Sequence, residues 1–311
     1  MNTVFMGSPE FAVPALEELI ENKSKVVAVY TQPDRPSGRG QQVVSCAVKR
    51  MALSRGLNVI QPVSFKDIRT VEQLTELKPD IIVVAAYGRI LPDAVLNIPR
   101  FKCINIHPSL LPRYRGPSPI AAAILNGDAK TGVTIMLVEQ KVDSGPILRQ
   151  QELPILDEDT AGTLSPRLGQ LGADLVVETI PDWIAGKILP VTQDESQATY
   201  TRMETKEDGA LDWHQPADRL WRQVRAFHPW PGCYTRWKNM TVKINQVVPL
   251  QNDGVRLPGE VVVLPKTCPA RVAVQTGKGL LGLIKVQPEG KREMSGQEFI
   301  AGHRDFPGSA L

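Results

Sequence analysis

Short apolar runs alternate with helically spaced apolar residues along the first 150 residues. The runs Asn2–Met6 and Lys25–Tyr30 predict strands, and Ser8 with Pro9 predicts the start of a helix between them. Asp80–Ala86 is continuously apolar after its first residue, which is typical of a strand covered on both faces. Strands that alternate with helices predict an α/β fold with a doubly wound, mostly parallel sheet.

The same alternation continues toward residue 189. Lys102–Ile106 and Thr134–Val138 are further strand candidates, and Ile120–Leu125 predicts a helix between them. A longer helical pattern covers Thr160–Lys187. We therefore expect one α/β domain over residues 1–189.

The pattern changes beyond residue 190. Residues 190–206 are polar with few large apolar side chains, which predicts a linker. Helices are predicted at Pro216–Arg225 and Ser295–Ala301, and between them lie five short runs of β-type composition. These runs are Tyr234–Trp237, Thr241–Val248, Gly259–Leu264, Ala270–Thr276 and Leu280–Val286. Short strands punctuated by Gly and Pro predict a small β-barrel or sandwich over residues 207–311.

Composition places the chain among globular proteins. Hydrophobic residues make up 42% and charged residues 22% of the 311 positions, so a large core can form and wholesale disorder is excluded. No apolar run approaches the roughly 18 residues of a membrane span, and we expect no signal peptide. Four scattered cysteines argue against a disulfide scaffold and favour a cytoplasmic location. The lack of a coiled-coil pattern favours a monomer.

The charge is weakly basic and unevenly distributed. The net charge is +3; residues 1–206 carry 22 Lys+Arg against 23 Asp+Glu, and residues 207–311 carry 14 against 10. A mildly basic C-terminal part can approach a phosphate backbone, although many inert surfaces have the same charge.

Two common nucleotide-binding motifs are missing from the sequence. The first predicted strand leads into Met6–Phe11, which holds one glycine and a proline instead of G-x-G-x-x-G. No G-x-x-x-x-G-K-[ST] sequence occurs either. A nicotinamide dehydrogenase and a P-loop kinase are therefore disfavoured.

The candidate chemistry lies at the end of the fourth predicted strand. Asn105 and His107 are two residues apart, so their side chains share one face, and Pro108 stops the strand. A carboxamide can donate to a developing oxyanion and an imidazole can move protons, which together suit acyl transfer. Asp143 follows the next strand, and a carboxylate beside His107 would favour and orient the imidazolium.

These three residues also have structural interpretations that the sequence leaves open. Asn105 can hydrogen-bond a turn, a histidine before a proline is often structural, and Asp143 in Val-Asp-Ser-Gly is a good turn residue. Spacing alone does not show that Asp143 reaches His107. No second His or Cys stands at ligand spacing, so no metal site is predicted.

Residues 105–116, Asn-Ile-His-Pro-Ser-Leu-Leu-Pro-Arg-Tyr-Arg-Gly, resemble the signature of the folate-dependent formyltransferases. The resemblance extends through Met6–Ala12 and Ala86–Pro92. It implies a Rossmann-like formyltransferase domain that uses 10-formyltetrahydrofolate and no metal, with Asn105, His107 and Asp143 as catalytic residues. Folate is expected to contact main-chain and apolar groups of two segments, Arg89, Ile90, Leu91 and Pro92, and Ser109, Leu110, Leu111 and Pro112.

Further motifs resemble the family members that formylate methionyl initiator tRNA for translation initiation. These motifs are Thr31–Gly40, Lys206–Trp213, Arg225–Gly232 and Met294–Phe299; in the third, His228 stands where the family commonly has Asn. Thr31–Gly40 resembles an inserted loop that contacts tRNA, and by this resemblance Arg39, supported by Arg35, is the expected contact.

The predicted C-terminal barrel resembles an oligonucleotide-binding fold, so we expect it to bind tRNA. Its candidate phosphate contacts are all positively charged side chains: Lys238, Lys243, Arg271, Lys278 and Lys285. For each of them taken singly, an ordinary solvated surface charge is the better interpretation.

Four alternatives stay open at this point. A formyltransferase of the same family that acts on an amino-sugar nucleotide would share the catalytic residues but should lack the arginine-bearing segment Pro33–Gly40. A folate hydrolase would use water in place of the amine. The chain of a glycinamide ribonucleotide formyltransferase should be shorter and end at a point equivalent to about residue 206. A non-catalytic tRNA-binding protein would transfer no formyl group.

Overall fold

The computed structural model describes residues 1–37, 42–251 and 256–311, with residues 35–37, 42 and 43 described by their backbone alone. The chain forms two compact units. The N-terminal unit contains Met1–Pro119, Lys130–Pro154 and Leu164–Arg202, and the C-terminal unit contains the remaining segments, Ile120–Ala129, Ile155–Thr163 and Met203–Leu311. The predicted boundaries at residues 189 and 206 stay a prediction.

The strands are, in chain order, β1 Asn2–Gly7, β2 Lys25–Tyr30, β3 Arg35–Ser37, β4 Gln42–Val44, β5 Val59–Ile60, β6 Ile81–Ala85, β7 Cys103–His107, β8 Lys130–Leu137, β9 Ile147–Pro154, β10 Cys233–Trp237, β11 Met240–Leu250, β12 Val261–Val263, β13 Val272–Gln275, β14 Leu280–Pro288 and β15 Met294–Ser295. The helices are α1 Val13–Glu21, α2 Ala47–Ser54, α3 Ile68–Glu76, α4 Asp93–Leu96, α5 Pro119–Asn126, α6 Ala161–Ile184, α7 Ala217–Ala226 and α8 Gly296–Gly302.

The N-terminal unit is built around a seven-stranded sheet with the order β5-β2-β1-β6-β7-β8-β9. The first four pairings, from β5 through β7, are parallel. Every residue of β6 is buried, as the continuous apolar run predicts. The predicted α/β fold with a mostly parallel sheet is confirmed.

The last two strands of this sheet run antiparallel to their neighbours, which the alternation of strands and helices does not predict. His107 lies opposite Thr134 and Ile104 lies opposite Leu137, so β8 enters the sheet at the edge where β7 ends. As a result, β8 ends beside the beginning of β7. β9 was not predicted at all, because this largely polar strand is exposed over much of its length and has no apolar run.

Ser8 does not cap the first helix. The helical residues after β1 begin with a short 3₁₀ segment, Glu10–Ala12, and α1 starts only at Val13. The Ser8 hydroxyl instead accepts a hydrogen bond of 3.0 Å from the Gln32 backbone N–H. The side chain thus joins the ends of β1 and β2 rather than a helix terminus.

The C-terminal unit contains an antiparallel sheet with the order β10-β11-β14-β13-β12, and β15 pairs with β14. The β-rich C-terminal part is therefore confirmed. The closing helix α8 begins with a capping box, in which Ser295 and Glu298 bond each other's backbone N–H groups. Phe299 on this helix packs edge-on against Trp237 of β10, with ring centroids 6.1 Å apart.

Candidate active site

Two predicted catalytic side chains lie on β7 in the middle of the sheet. Asn105 is opposite Val84 of β6 and Met136 of β8, and it is only half-buried. His107 lies two residues further along the same strand and is buried. No hydrogen bond to the Asn105 side chain occurs within the part of the chain that the structure describes.

The imidazole of His107 lies between a carbonyl and a carboxylate. Its Nε2 is 3.0 Å from the Tyr114 carbonyl oxygen, and its Nδ1 is 3.6 Å from Asp143 Oδ2. Because a carbonyl only accepts, Nε2 carries the hydrogen of this bond. The separation of Nδ1 from the carboxylate is within ion-pair range but too long for a direct hydrogen bond.

Asp143 reaches His107 from the loop that joins β8 to β9. Its carboxylate Oδ2 accepts a hydrogen bond of 2.8 Å from the Gly116 backbone N–H. Its φ of 49° lies in the left-handed region, which is uncommon for residues other than glycine but is tolerated by aspartate. The structure thus brings Asn105, His107 and Asp143 into one region of the N-terminal unit.

Residues 114–116 connect the two ionisable side chains. The Tyr114 carbonyl binds His107 and the Gly116 N–H binds Asp143. This segment is held in turn by residues 199–201: Arg115 N–H donates to the Thr199 carbonyl at 2.9 Å, and Thr201 N–H donates to the Arg115 carbonyl at 2.7 Å. Residues 199–201 belong to the segment predicted as a linker, and its polar composition gave no signal of this role.

The segment Ser109–Pro112 forms a loop braced by Thr134 of β8. The Thr134 hydroxyl donates to the Ser109 carbonyl at 2.6 Å and accepts from the Leu111 N–H at 3.2 Å. Ser109 and Leu111 are buried, whereas Leu110 and Pro112 are partly exposed. The Ser109 hydroxyl donates to the Arg113 carbonyl at 2.6 Å, so it stabilises the loop itself.

The other predicted folate segment, Arg89–Pro92, follows β6, the parallel neighbour of β7. Ile90 is 76% exposed although it is a large apolar residue, and Leu91 beside it is buried. The Arg89 guanidinium donates to the Val63 carbonyl through Nη1. Its Nε is buried and has no hydrogen-bond partner among the described residues. An exposed apolar side chain near main-chain groups at the sheet edge fits the binding of a flat, partly polar ring.

Gln32 connects two of the loops at this edge, and sequence reasoning missed it. Its side-chain Nε2 donates to the Tyr87 carbonyl at 2.9 Å, while its backbone N–H donates to Ser8. The carbonyl of Gln32 accepts from Gln61 Nε2 at 2.7 Å. The ends of β1, β2 and β6 are therefore joined by hydrogen bonds beside the candidate site.

The predicted tRNA contacts Arg35 and Arg39 fall on a segment of which little is described. Arg39 lies outside the described residues, and Arg35 contributes its backbone to the β3–β4 pairing opposite Val44. The base of this hairpin is anchored by Asp34, whose carboxylate accepts from Lys49 Nζ at 2.6 Å. The Lys49 ammonium lowers the pKa of Asp34 below its ordinary value, with further help from the Gln61 amide.

The basic residues predicted to contact phosphate differ in their surroundings. Lys238 pairs with Asp305, Lys285 lies 3.4 Å from Glu293, and half-buried Arg271 donates to the Leu264 carbonyl. Lys243 and Lys278 are exposed, and neither forms an ion pair within the described ranges.

The described residues contain no grouping suited to a metal ion and no helix suited to span a membrane. Among them, no three His, Cys, Asp or Glu side chains are grouped as a metal site requires. None of their helices combines the length and apolar character needed to cross a bilayer.

Comparisons with known proteins identify the family. Residues 1–180 match the formyl transferase family, and residues 204–304 match the formyl transferase C-terminal domain. The chain belongs to the formyl transferase family. The resemblance of residues 105–116 to the formyltransferase signature is thereby confirmed.

Two curated members of this family are similar over the whole chain. The methionyl-tRNA formyltransferase of Roseiflexus sp. (strain RS-1) is 46% identical over 312 residues, covering 100% of this chain and 95% of that protein. That of Methylococcus capsulatus (strain Bath) is 45% identical, covering 97% of each.

A solved N-formyltransferase from Helicobacter canadensis, in complex with folinic acid and dTDP-3-aminofucose, has the same fold. Its TM-score is 0.67 at 21% identity, covering 90% of this formyltransferase chain and 98% of that one.

Proposed function

We propose that the chain transfers the formyl group of 10-formyltetrahydrofolate to the α-amino group of methionyl initiator tRNA, for translation initiation. The full-length similarity to methionyl-tRNA formyltransferases supports this choice of acceptor. The observation that carries the chemistry is the 3.6 Å approach of Asp143 to His107, beside an Asn105 side chain with no other described partner. The reaction takes place in the cytoplasm, and the chain acts as a monomer.

The reaction replaces one C–N bond by another. The uncharged amine attacks the formyl carbon, negative charge develops on the formyl oxygen, and the C–N bond to the folate nitrogen then breaks. The proton that the amine loses balances the proton that the departing nitrogen gains. Donors fixed in advance near the formyl oxygen lower the barrier because they need no reorganisation during the reaction.

Asn105 and His107 are the proposed donors. The Asn105 carboxamide is not bonded to a described residue, so its N–H₂ group is available to the formyl oxygen. Both ring nitrogens of His107 face groups that only accept, Tyr114 O and the Asp143 carboxylate, which suits the doubly protonated imidazolium. Nε2–H is occupied by the carbonyl, so Nδ1–H is the hydrogen that His107 presents to reacting groups.

Asp143 orients His107 and helps to carry the amine proton. The 3.6 Å gap between its carboxylate and Nδ1 shows that the two side chains form no direct hydrogen bond. Its partial exposure leaves the carboxylate accessible to the attacking amine. The carboxylate, which the Gly116 N–H holds in place, can accept the proton that the amine loses as the new C–N bond forms.

The folate is proposed to lie along two segments, Arg89–Pro92 and Ser109–Pro112. Main-chain groups of these loops are suited to the donor and acceptor edge of the pterin, and the exposed Ile90 side chain to its flat face. The brace from Thr134 keeps the second segment in place before the ligand binds.

The tRNA is proposed to contact Arg35 and Arg39 in the N-terminal unit and basic residues of the C-terminal unit. Arginine at the tip of a loop can form paired hydrogen bonds with a phosphate or a guanine edge. Within the C-terminal unit, Lys243 and Lys278 are favoured as phosphate contacts, because Lys238, Arg271 and Lys285 already have protein partners.

The test is a formylation assay with purified protein and 10-formyltetrahydrofolate. Initiator methionyl-tRNA, elongator methionyl-tRNA and an amino-sugar nucleotide are offered side by side. We expect formyl-methionine on the initiator tRNA and at most weak activity with the other two acceptors. Preferred formylation of the amino-sugar nucleotide, or no transfer to any acceptor, would contradict the proposal.

A further inference from the structure

The loop that carries Asp143 has to fold back along β7 to reach His107. Because β8 is antiparallel, the loop starts beside Cys103, where the Val138 N–H donates to the Cys103 carbonyl at 2.8 Å. His107 lies four residues further along β7, which corresponds to about 13 Å at 3.3 Å per residue. The position of the carboxylate therefore depends on what holds this loop.

The Gln193 side chain binds the main chain of the loop on both sides of Ser144. The Gln193 Nε2 group donates to the Asp143 carbonyl at 2.9 Å and to the Gly145 carbonyl at 2.7 Å. Gln193 itself is only 5% exposed, so water competes poorly for these two bonds. Neither bond involves the carboxylate of Asp143, which stays free to face His107.

Arg115 fixes the orientation of the Gln193 amide. Gln193 Oε1 accepts from Arg115 Nε at 3.0 Å and from Nη2 at 2.8 Å. A flipped amide would place its N–H₂ group against the guanidinium and its oxygen against two carbonyls, so only one orientation satisfies all partners. The fully buried guanidinium is itself held by Glu195 at 2.7 Å and by the Tyr200 hydroxyl at 2.9 Å.

The loop also contacts β8 directly. A Cβ atom added at Gly145 would lie 1.9 Å from the Leu137 carbonyl oxygen, so the loop backbone contacts the strand directly. The Gly116 N–H, next to Arg115 in the chain, fixes the carboxylate. The loop is therefore held both by its contact with β8 and by the Arg115–Gln193 pair.

We propose that Arg115 and Gln193 are positioning residues that set the place of the Asp143 carboxylate relative to His107. This inference rests on the proposed function, because it takes Asp143 as part of the formyl-transfer site. The residues act on turnover through Asp143 and touch neither substrate.

The test uses Gln193→Glu, with Gln197→Glu as the matched control. Glutamate has the size of glutamine and keeps an oxygen toward Arg115, but it replaces the donors to the Asp143 and Gly145 carbonyls by an oxygen that repels them. Gln197 lies in the same segment and is exposed, and among the described residues its side chain bonds only Asp194. Steady-state formylation gives kcat and both KM values for each variant.

We expect Gln193→Glu to lower kcat by about 10- to 100-fold, the scale on which small misplacements of a catalytic group act. Both KM values should stay within about twofold, since the residue touches no substrate. In the Asp143→Asn background the same substitution should lower kcat no further, because it acts through the Asp143 carboxylate and that carboxylate is already absent. Gln197→Glu should behave as wild type.

Three results would overturn the inference. They are a normal kcat for Gln193→Glu, an equal loss of kcat in the Asp143→Asn background, and an effect confined to KM. A second readout is independent of activity: the ¹⁵N signals of the His107 imidazole should shift in Gln193→Glu toward those of Asp143→Asn, and unchanged signals count against the inference.

Two further outcomes are distinguishable from these. If Gln193→Glu shows no cooperative melting transition, the uncharged Gln193→Leu replaces it, and the same failure there assigns Gln193 to folding and overturns the inference. If wild-type protein formylates no initiator tRNA, the proposed function fails. An active wild type with a normal Gln193→Glu variant contradicts the positioning role alone.

Discussion

Asp143 carries the negative charge of the site and has an uncommon backbone conformation. Its φ of 49° is uncommon for a side-chain-bearing residue, and such conformations persist only where their surroundings impose them. The surroundings are the Gly116 N–H on the carboxylate and Gln193 on the carbonyl. The 3.6 Å approach of this carboxylate to His107, and not the backbone conformation alone, favours an interpretation of Asp143 as a functional residue.

Replacing Asp143 by asparagine should separate the effect of its negative charge from the effect of its hydrogen bond to Gly116. Asparagine keeps an oxygen for the Gly116 N–H and loses only the negative charge beside His107. We expect kcat to fall by about 10²- to 10⁴-fold, the range of proton-transfer groups, with a melting temperature close to wild type. Asp174→Asn, an exposed change on α6, is the control. A kcat within threefold of wild type would exclude the assigned role.

At the scale of single residues, sequence reasoning found side chains whose chemistry has a recognisable spacing. Asn105 and His107 were predicted to share a face because they are two residues apart on a strand, and their positions on β7 agree with this. Gln193 and Gln32 were missed, because an isolated glutamine has no pattern. Their roles arise from contacts with residues 50 and 55 positions away.

At the scale of elements, residues 190–202 show that a polar segment predicted as a linker can be part of a folded unit. They form part of the N-terminal unit, and their side chains and backbone bond Arg115 and the Asp143 loop. Polar composition predicts exposure, but here polar groups satisfy a buried guanidinium. Glu195 is the charged partner of that guanidinium and of Lys141, with both distances between 2.6 and 2.7 Å.

Glu195→Gln should make the stability of the protein less dependent on pH in acid. Hydrogen bonds from Arg115 and then Lys141 lower the pKa of Glu195 from 4.5 to about 2. A carboxyl with a lowered pKa stabilises the fold above its unfolded pKa and loses this effect as the pH falls through its folded pKa. We expect Glu195→Gln to melt below wild type at pH 7, with a gap that closes between pH 4.5 and 2.

Thermal unfolding of both proteins across this pH range measures the gap. Glu72→Gln serves as the control, because Glu72 is exposed on α3 and forms no ion pair among the described residues. A gap that stays constant or widens toward low pH would show that Glu195 stabilises the protein by other means. The effect should be small, since more than half of the Glu195 side chain is exposed.

The positions of the buried strands were predictable, but the direction of β8 and the existence of β9 were not. Apolar runs located β1, β2, β6 and β7, because these strands are buried and need continuous apolar sequence. Hydrophobic patterns carry no information on whether a strand enters the sheet from one edge or the other. The antiparallel directions of β8 and β9 are therefore known only from the strand pairing in the structure. The same is true of the Asp143 loop, which folds back along β7.

At the scale of the whole molecule, charge favours a polyanionic substrate only weakly. The net charge of +3 is small, and residues 207–311 hold a modest excess of 14 Lys+Arg over 10 Asp+Glu. Binding of tRNA should therefore depend on a few well-placed cations rather than on a strong overall field. Arg39, outside the described residues, is the first of these in the proposal.

Arg39→Ala should weaken tRNA binding and make that binding less dependent on salt concentration. Each phosphate contact contributes about 0.7 to 0.9 to the slope of log K against log salt concentration, so the slope should fall by about one unit if Arg39 binds phosphate. Arg69→Ala on α3, where the arginine is exposed and paired with Asp67, is the control. A slope equal to that of wild type would remove Arg39 from the phosphate contacts.

The most direct test of the central claim is the single-turnover rate of formyl transfer by Asn105→Ala at saturating folate and initiator tRNA. Loss of one donor to a developing oxyanion typically slows the reaction by about 10²- to 10³-fold. The account predicts a loss of at least this size, with folate binding unchanged. A rate within a few-fold of wild type would contradict the assignment of Asn105 to the formyl oxygen.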